Sequence, residues 1–183
     1  MSIRVAIDNE KATLRPGTPA DAAALHALVG AHLEEGRLLP RTQSELAVHA
    51  SRFVVVERGD ALVGCAELAP LSSAVAEIRS LVVDARSRGE GVAGRMVAEL
   101  IRHARREGFD RLCAFAHDPA FFVGRGFSIV PHAWVPEKIA HDCANCPLFR
   151  ACGQSALILD LDEPGVWASR GRALDDQAVG CAY

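Results

Sequence analysis

A β-branched run, Leu81-Val82-Val83, passes through the glycine-rich segment Arg86-Ser87-Arg88-Gly89-Glu90-Gly91 straight into a stripe of Val92, Met96, Leu100 and Ala104. That order calls for a strand, a tight loop and an amphipathic helix whose apolar face returns onto the sheet. Glu99, Arg102 and Arg106 fall on the wetter side of the helix, and Gly108 is placed to end it. The remaining chain must supply the partners of this unit. Its 183 residues leave room for one full-sized domain and not two, and with half of them hydrophobic they can bury a core.

Helix signals recur upstream. Thr18-Pro19-Ala20-Asp21 offers a capping hydroxyl, proline at the first helical position and acid in the first turn, ahead of Ala22, Leu25, Val29 and Leu33, with Gly36 as a stop. Thr42-x-x-Glu45 is a capping-box pattern that predicts a short helix towards His49. Phe53-Val54-Val55-Val56, the turn Arg58-Gly59-Asp60 and a second run over 62–68 predict a hairpin, followed by a strand over 76–83. After the long helix come a strand over 112–115, a helical turn after Pro119, a strand from about Phe127 and a last strand over 156–161. From Asp162 the chain turns polar and carries Pro164 and three glycines, the composition of a loose tail.

Charge narrows the partners. Twenty basic and 23 acidic residues give −3, no bulk positive field for a polyanion, so nucleic acid is not expected. Only Lys11 and Lys138 are lysines, so eighteen of the basic residues are arginines. No apolar run approaches the ~18 residues of a membrane span, and Asp8 interrupts what a signal peptide would need as its apolar core. A cytoplasmic protein without a membrane partner is expected. In that reducing setting the six cysteines read as thiols or metal ligands.

Small residues at Gly89 and Gly91 let backbone N–H groups close on an anion at the positive end of a helix, so a phosphate or pyrophosphate fits. An ordinary strand-to-helix loop that needs glycine for its turn fits equally. A dinucleotide fold is set aside because no early strand–glycine–helix unit precedes the loop, and a Walker loop because no Gly-Lys-Ser/Thr follows. In context, Arg88-Gly89-Glu90-Gly91-Val92-Ala93 resembles the R-x-x-G-x-G/A signature of the GNAT superfamily of acetyl-CoA-dependent N-acetyltransferases. Phe121-Phe122-Val123-Gly124-Arg125-Gly126-Phe127 resembles its aromatic-x-x-x-Gly-Phe ending. The resemblance implies an α/β (α+β) fold, a mixed, mostly antiparallel sheet with splayed central strands flanked by helices. It implies an N-terminal extension over 1–12, the acetyltransferase domain over 13–161 and a C-terminal tail over 162–183. It further implies that the pantetheine arm of acetyl-CoA enters between the fourth and fifth strands and pairs with backbone groups of Leu81, Val82 and Val83. The pyrophosphate would lie on the amides of Arg88, Gly89, Glu90, Gly91, Val92, Ala93 and Gly94.

The segments Gly36-Arg37-Leu38-Leu39-Pro40-Arg41-Thr42, Gly64-Cys65-Ala66-Glu67-Leu68 and Glu77-Ile78-Arg79-Ser80-Leu81-Val82-Val83, with Phe121-Phe122, are similar to stand-alone amino-acid N-acetyltransferases of the N-acetylglutamate synthase type, enzymes of arginine biosynthesis. L-glutamate is then the expected acceptor, ahead of another small amine or a protein N-terminus. A CoA-binding or metal-linked regulatory module is the alternative outside catalysis, and a homodimer is allowed.

Acetyl transfer needs a neutral amine, hence a proton acceptor. The resemblance gives that role to Glu77, and strand alternation puts Glu77 and Arg79 on one face; the plain alternative is an exposed strand glutamate paired with arginine. Arg41 and Arg79 are the candidate forks for substrate carboxylates, with surface ion pairing as the alternative. Phe122 stands in the cofactor-binding set where many members place a tyrosine that protonates the leaving thiolate, which phenylalanine cannot do. His117 is the nearest titratable substitute, as a substrate contact or a structural histidine. Lastly, His141-x-Cys143-x-x-Cys146-x5-Cys152 has the ligand types of a structural Zn²⁺ site, against reduced thiols or a redox-sensitive pair.

Overall fold

The computed structural model describes residues 12–33, 38, 40–146 and 149–161. Lys11 and the extension before it, the helix stop at Gly36, most of the Gly36–Leu39 segment, the tail from Asp162 and Cys181 lie outside the described residues.

Among the described residues one seven-stranded sheet runs in the order β1-β2-β3-β4-β5-β7-β6. Its strands are β1 (Thr13–Pro16), β2 (Phe53–Arg58), β3 (Ala61–Pro70), β4 (Val75–Val83), β5 (Arg111–Ala116), β6 (Ser128–Val130) and β7 (Ser155–Asp160). The helices are α1 (Ala22–Gly30), α2 (Gln43–His49), α3 (Val92–Glu107), α4 (Ala120–Val123) and α5 (Pro136–His141). Every strand pair is antiparallel except β4–β5, which is joined through α3. This is the mixed, mostly antiparallel sheet that the resemblance implies.

The hairpin forms as expected, with Arg58 inside β2 and the turn on Gly59 (φ 58°) and Asp60. The first helical signal opens as a 3-10 turn over Pro19–Asp21 before α1 begins. Thr42 Oγ1 accepts the Glu45 N–H and caps α2. The predicted stripe Val92, Met96, Leu100, Ala104 is buried to the last residue, and Gly108 ends α3 at φ 80°.

Alternation sorts the core by face. Val54, Val56, Ala66, Leu68, Ala76, Ile78, Leu112, Ala114 and Leu157 meet α3 on one side. The intervening residues split on the other side into a cluster with α1 and α2 (Phe53, Val55, Cys65, Val82) and one beside α5 (Val75, Cys113, Val130, Val135, Ile158). A charged layer occupies the interval between those two clusters.

Two irregularities shape that interval. Cys65 faces Val82 and Glu67 faces Arg79, so β4 carries one extra residue, and Ser80 turns into the left-handed region (φ 51°) at this bulge. The parallel ladder of β4 with β5 ends at Ile78–Ala114, while β4 runs on to Val83. From Arg79 onward the edge of β4 that faces β5 therefore has backbone groups that β5 does not take up. The central strands part there.

Candidate active site

The glycine cradle sits where β4 hands over to α3. Gly89 (φ 82°) and Gly91 (φ 78°) adopt backbone that side chains resist, and a Cβ at either would meet open space. Gly91 is the N-cap, so the N–H groups of Val92, Ala93 and Gly94 in the first turn have no helical carbonyl to bond. The Val92 side chain is buried beneath, and only its backbone can face a ligand. Arg88 is exposed, with Nε donating to the Val83 carbonyl at 3.2 Å. These features fit a pyrophosphate. Gly89, Gly91 and Gly94 even keep dinucleotide-fold spacing, but β4 lies antiparallel to β3 in a sheet of different order.

The sequence motifs give Arg125 no role of its own. Its guanidinium lies where a Cβ on Gly94 would come within 2.8 Å and stacks 3.6 Å from the centre of the Phe121 ring. The signal was present in the short motif between Phe121 and Phe127, yet only the fold brings that motif to the first turn of α3. Phe122 points the other way, 6% exposed in the core with its ring edge on Phe127.

Glu77 and Arg79 do share a face, as period two requires, but Glu77 is 3% exposed and therefore no surface glutamate. Lys138 of α5 reaches it, with Nζ 2.7 Å from Oε1 and 2.8 Å from Oε2. Lys138 also donates to Asp142 Oδ2 at 2.8 Å. Burial works against the Lys138 charge, yet Glu77 and Asp142 outweigh it and raise its pKa. Burial likewise pushes the Asp142 carboxyl up, but hydrogen bonds from Lys138 and His141 prevail and hold it at about 2. Arg79 Nε stands 3.3 Å from Glu77 Oε2, close enough for an ion pair but out of line for a hydrogen bond, and is buried without a hydrogen-bond partner.

Arg41 is occupied differently from expectation. Its Nη1 donates to Glu67 (2.8 Å) and to Ser80 Oγ at the bulge (3.2 Å), and its Nε to Glu45 (2.7 Å). Glu67 is 1% exposed, so Arg41 is matched inside the chain by a buried carboxylate. His117 is exposed beyond the end of β5, beside Gly153, and takes no part in the hydrogen bonds and ion pairs of the Glu77 group. Cys143 and Cys146 are half-buried and Cys152 exposed. Among the described residues no three His, Cys, Asp or Glu side chains are arranged to hold a metal; His141 turns to Asp142 and Cys152 to Gln154. As arranged, these residues do not fit a zinc centre.

The model of the acetyltransferase (GNAT) family matches residues 23–123. The chain belongs to that family. An uncharacterized N-acetyltransferase of Chlorobaculum tepidum is 29% identical over 142 residues, 78% of this chain and 92% of its own length. An amino-acid acetyltransferase of Neisseria meningitidis is 30% identical over 149 residues, 80% of this GNAT chain but only 33% of the relative. The N-acetylglutamate synthase of Neisseria gonorrhoeae, solved with coenzyme A and N-acetyl-glutamate, superposes with a TM-score of 0.74 at 27% identity, over 85% of this chain and 36% of that one. The chain thus spans about a third of the amino-acid acetyltransferases it resembles. Its enzymatic class is acyltransferase. No helix among the described residues is long and apolar enough to cross a membrane.

Proposed function

We propose that this GNAT domain transfers the acetyl group of acetyl-CoA to the α-amino group of a small amino acid, with L-glutamate as the first acceptor to test. The observation that carries the reading is the placement of Glu77. It is a buried carboxylate on β4, one residue before the ladder to β5 ends, on the strand that runs on into the glycine cradle. The Neisseria relatives, an amino-acid acetyltransferase and a synthase crystallised with N-acetyl-glutamate, support the acceptor class.

Acetyl-CoA supplies the thioester; the chain supplies binding, orientation and proton acceptance. The amides from Arg88 to Gly94 receive the pyrophosphate, and the edge of β4 over Leu81–Val83 that β5 leaves unpaired faces the pantetheine amides, with the Val83 carbonyl already accepting from Arg88 Nε. Glu77 takes the proton of the acceptor ammonium, directly or through water. The departing thiolate, with an ordinary thiol pKa near ~8.5, can take its proton from water, as Phe122 has none to give.

Thiol release from acetyl-CoA in the presence of single amino acids tests this. Turnover above background is expected with glutamate or glutamine, and Glu77→Gln should lower kcat by about 100-fold or more. No turnover with either amino acid removes the acceptor assignment, and an unchanged rate in Glu77→Gln removes the proton acceptor.

A further inference from the structure

Glu77 is the proton acceptor in the reading above, yet both of its oxygens are taken by Lys138. The contacts go further and close a ring. Lys138 bonds Asp142, Arg79 Nη1 lies 3.8 Å from the same Asp142 oxygen, and Arg79 Nε lies 3.3 Å from Glu77. Four charges alternate in sign around it. Two of them, Glu77 and Arg79, are fixed on β4 in the middle of the sheet. The other two, Lys138 and Asp142, stand four residues apart on α5 and the residue after it, and α5 has no buried residue of its own.

An ammonium and a carboxylate presented together to a carboxylate and a guanidinium are the two ends of an α-amino acid. The ring is also incomplete, because Arg79 Nε is buried without an acceptor in line. A buried donor left unmatched is costly, and a carboxylate arriving from the open side would satisfy it. Around the ring, His141 Nδ1 lies 2.9 Å from Asp142 Oδ1, Cys113, opposite Glu77 on β5, is kept protonated by burial, Glu137 acts on that thiol only at a distance, and the Phe115 ring lies 5.3 Å from Lys138 Nζ.

We propose that the Lys138–Asp142 pair is an internal stand-in for the acceptor, and that the site is built for the zwitterion of a free α-amino acid, which displaces that pair. The α-ammonium takes the place of Lys138 on Glu77, and the α-carboxylate takes the place of Asp142 at Arg79. An amine without a carboxylate, or a peptide N-terminus, leaves Arg79 unmatched and is a poor acceptor. This rests on the acetyl-transfer reading for its chemistry, but not for its binding.

The test is the double variant Lys138→Met/Asp142→Asn, which removes one cation and one anion together, with Lys138→Gln/Asp142→Asn as a polar counterpart should the first fold poorly. L-glutamate and L-isoglutamine, its α-amide, are the probes. The acceptor KM and the calorimetric Kd for L-glutamate are expected to fall by about tenfold in the double variants, while the KM for acetyl-CoA stays within about twofold. Both wild type and variants should prefer L-glutamate over L-isoglutamine by about tenfold or more. A rise in acceptor Kd makes the pair part of the binding surface, an unchanged Kd makes it purely structural, and equal binding of L-isoglutamine removes the zwitterion; each overturns the proposal. Binding that follows the expected pattern in a protein without turnover leaves this proposal standing and fails the acetyl-transfer reading alone.

Discussion

Arg125 shows how much one side chain depends on its neighbours. It rests on Phe121 and overlies Gly94, so the position without a side chain in α3 makes room for a guanidinium beside the unclaimed amides. An arginine there adds charge where the helix end already favours an anion. Arg125→Ala is expected to raise the KM for acetyl-CoA by about tenfold and leave the amino-acid KM nearly unchanged, measured by steady-state titration of each substrate. Equal effects on both substrates would place Arg125 outside the phosphate region. At this scale the sequence revealed what lies close along the chain. Glu77 and Arg79 are two residues apart on a strand, and period two places them together. Lys138 is 61 residues from Glu77 and Glu67 is 26 from Arg41, distances that no periodicity spans. Lys138 therefore stands out in the sequence only as one of two lysines, open to a substrate contact beside the cysteine cluster, and Arg41 as a carboxylate fork rather than as the partner of Glu67 and Ser80.

Among elements, α3 and the β2–β3 hairpin were legible because their patterns are long and their stops are glycines. Two elements were not. β1 is a four-residue edge strand, too short for alternation to register, held by Arg15 through Asp21 and Glu57. α5 has Pro136 at its first position but no apolar stripe, since it attaches through charge rather than through burial. That attachment makes its stability depend on pH. The Asp142 carboxyl titrates near 2 in the folded protein, below the ordinary ~3.9. Its contribution is therefore complete above about pH 4 and is lost as pH falls through 2, about 1–2 kcal/mol after allowance for its partial exposure. Lys138 shifts upward, so its share persists through neutral pH and disappears only above the ordinary lysine range. Hydrogen exchange should show the Asp142 amide, which donates to Lys138 O, losing protection between pH 4 and 2 relative to its intrinsic rate, while α3 keeps its own. Equal protection of α5 at both ends of that window would mean that the ring does not hold it.

Across the whole molecule the sheet joins three apolar clusters, and two buried thiols report on the side away from α3. Cys65 lies in the cluster with α1 and α2, Cys113 in the cluster beside α5, and both are fully buried. Burial pushes the Cys65 thiol up to about 12 and Cys113 higher still, so neither reacts with an alkylating reagent while the sheet is closed. Leu100 belongs to the third cluster, on the opposite face, and touches neither thiol's layer. Leu100→Ala leaves a cavity under α3 and should cost about 2–5 kcal/mol. If the sheet unfolds as one unit, alkylation of Cys65 and of Cys113 at pH 8 rises by the same factor, about 30-fold or more, because both then depend on the same opening. The exposed Cys152 keeps its rate, as its access requires no opening. Peptide mapping after timed alkylation reads all three together. A rise at Cys65 with Cys113 unchanged would divide the molecule at the parted strands β4 and β5, where the ladder is only four pairs long. The short ladder beside the proposed entry of the cofactor would then also be the line along which the fold comes apart.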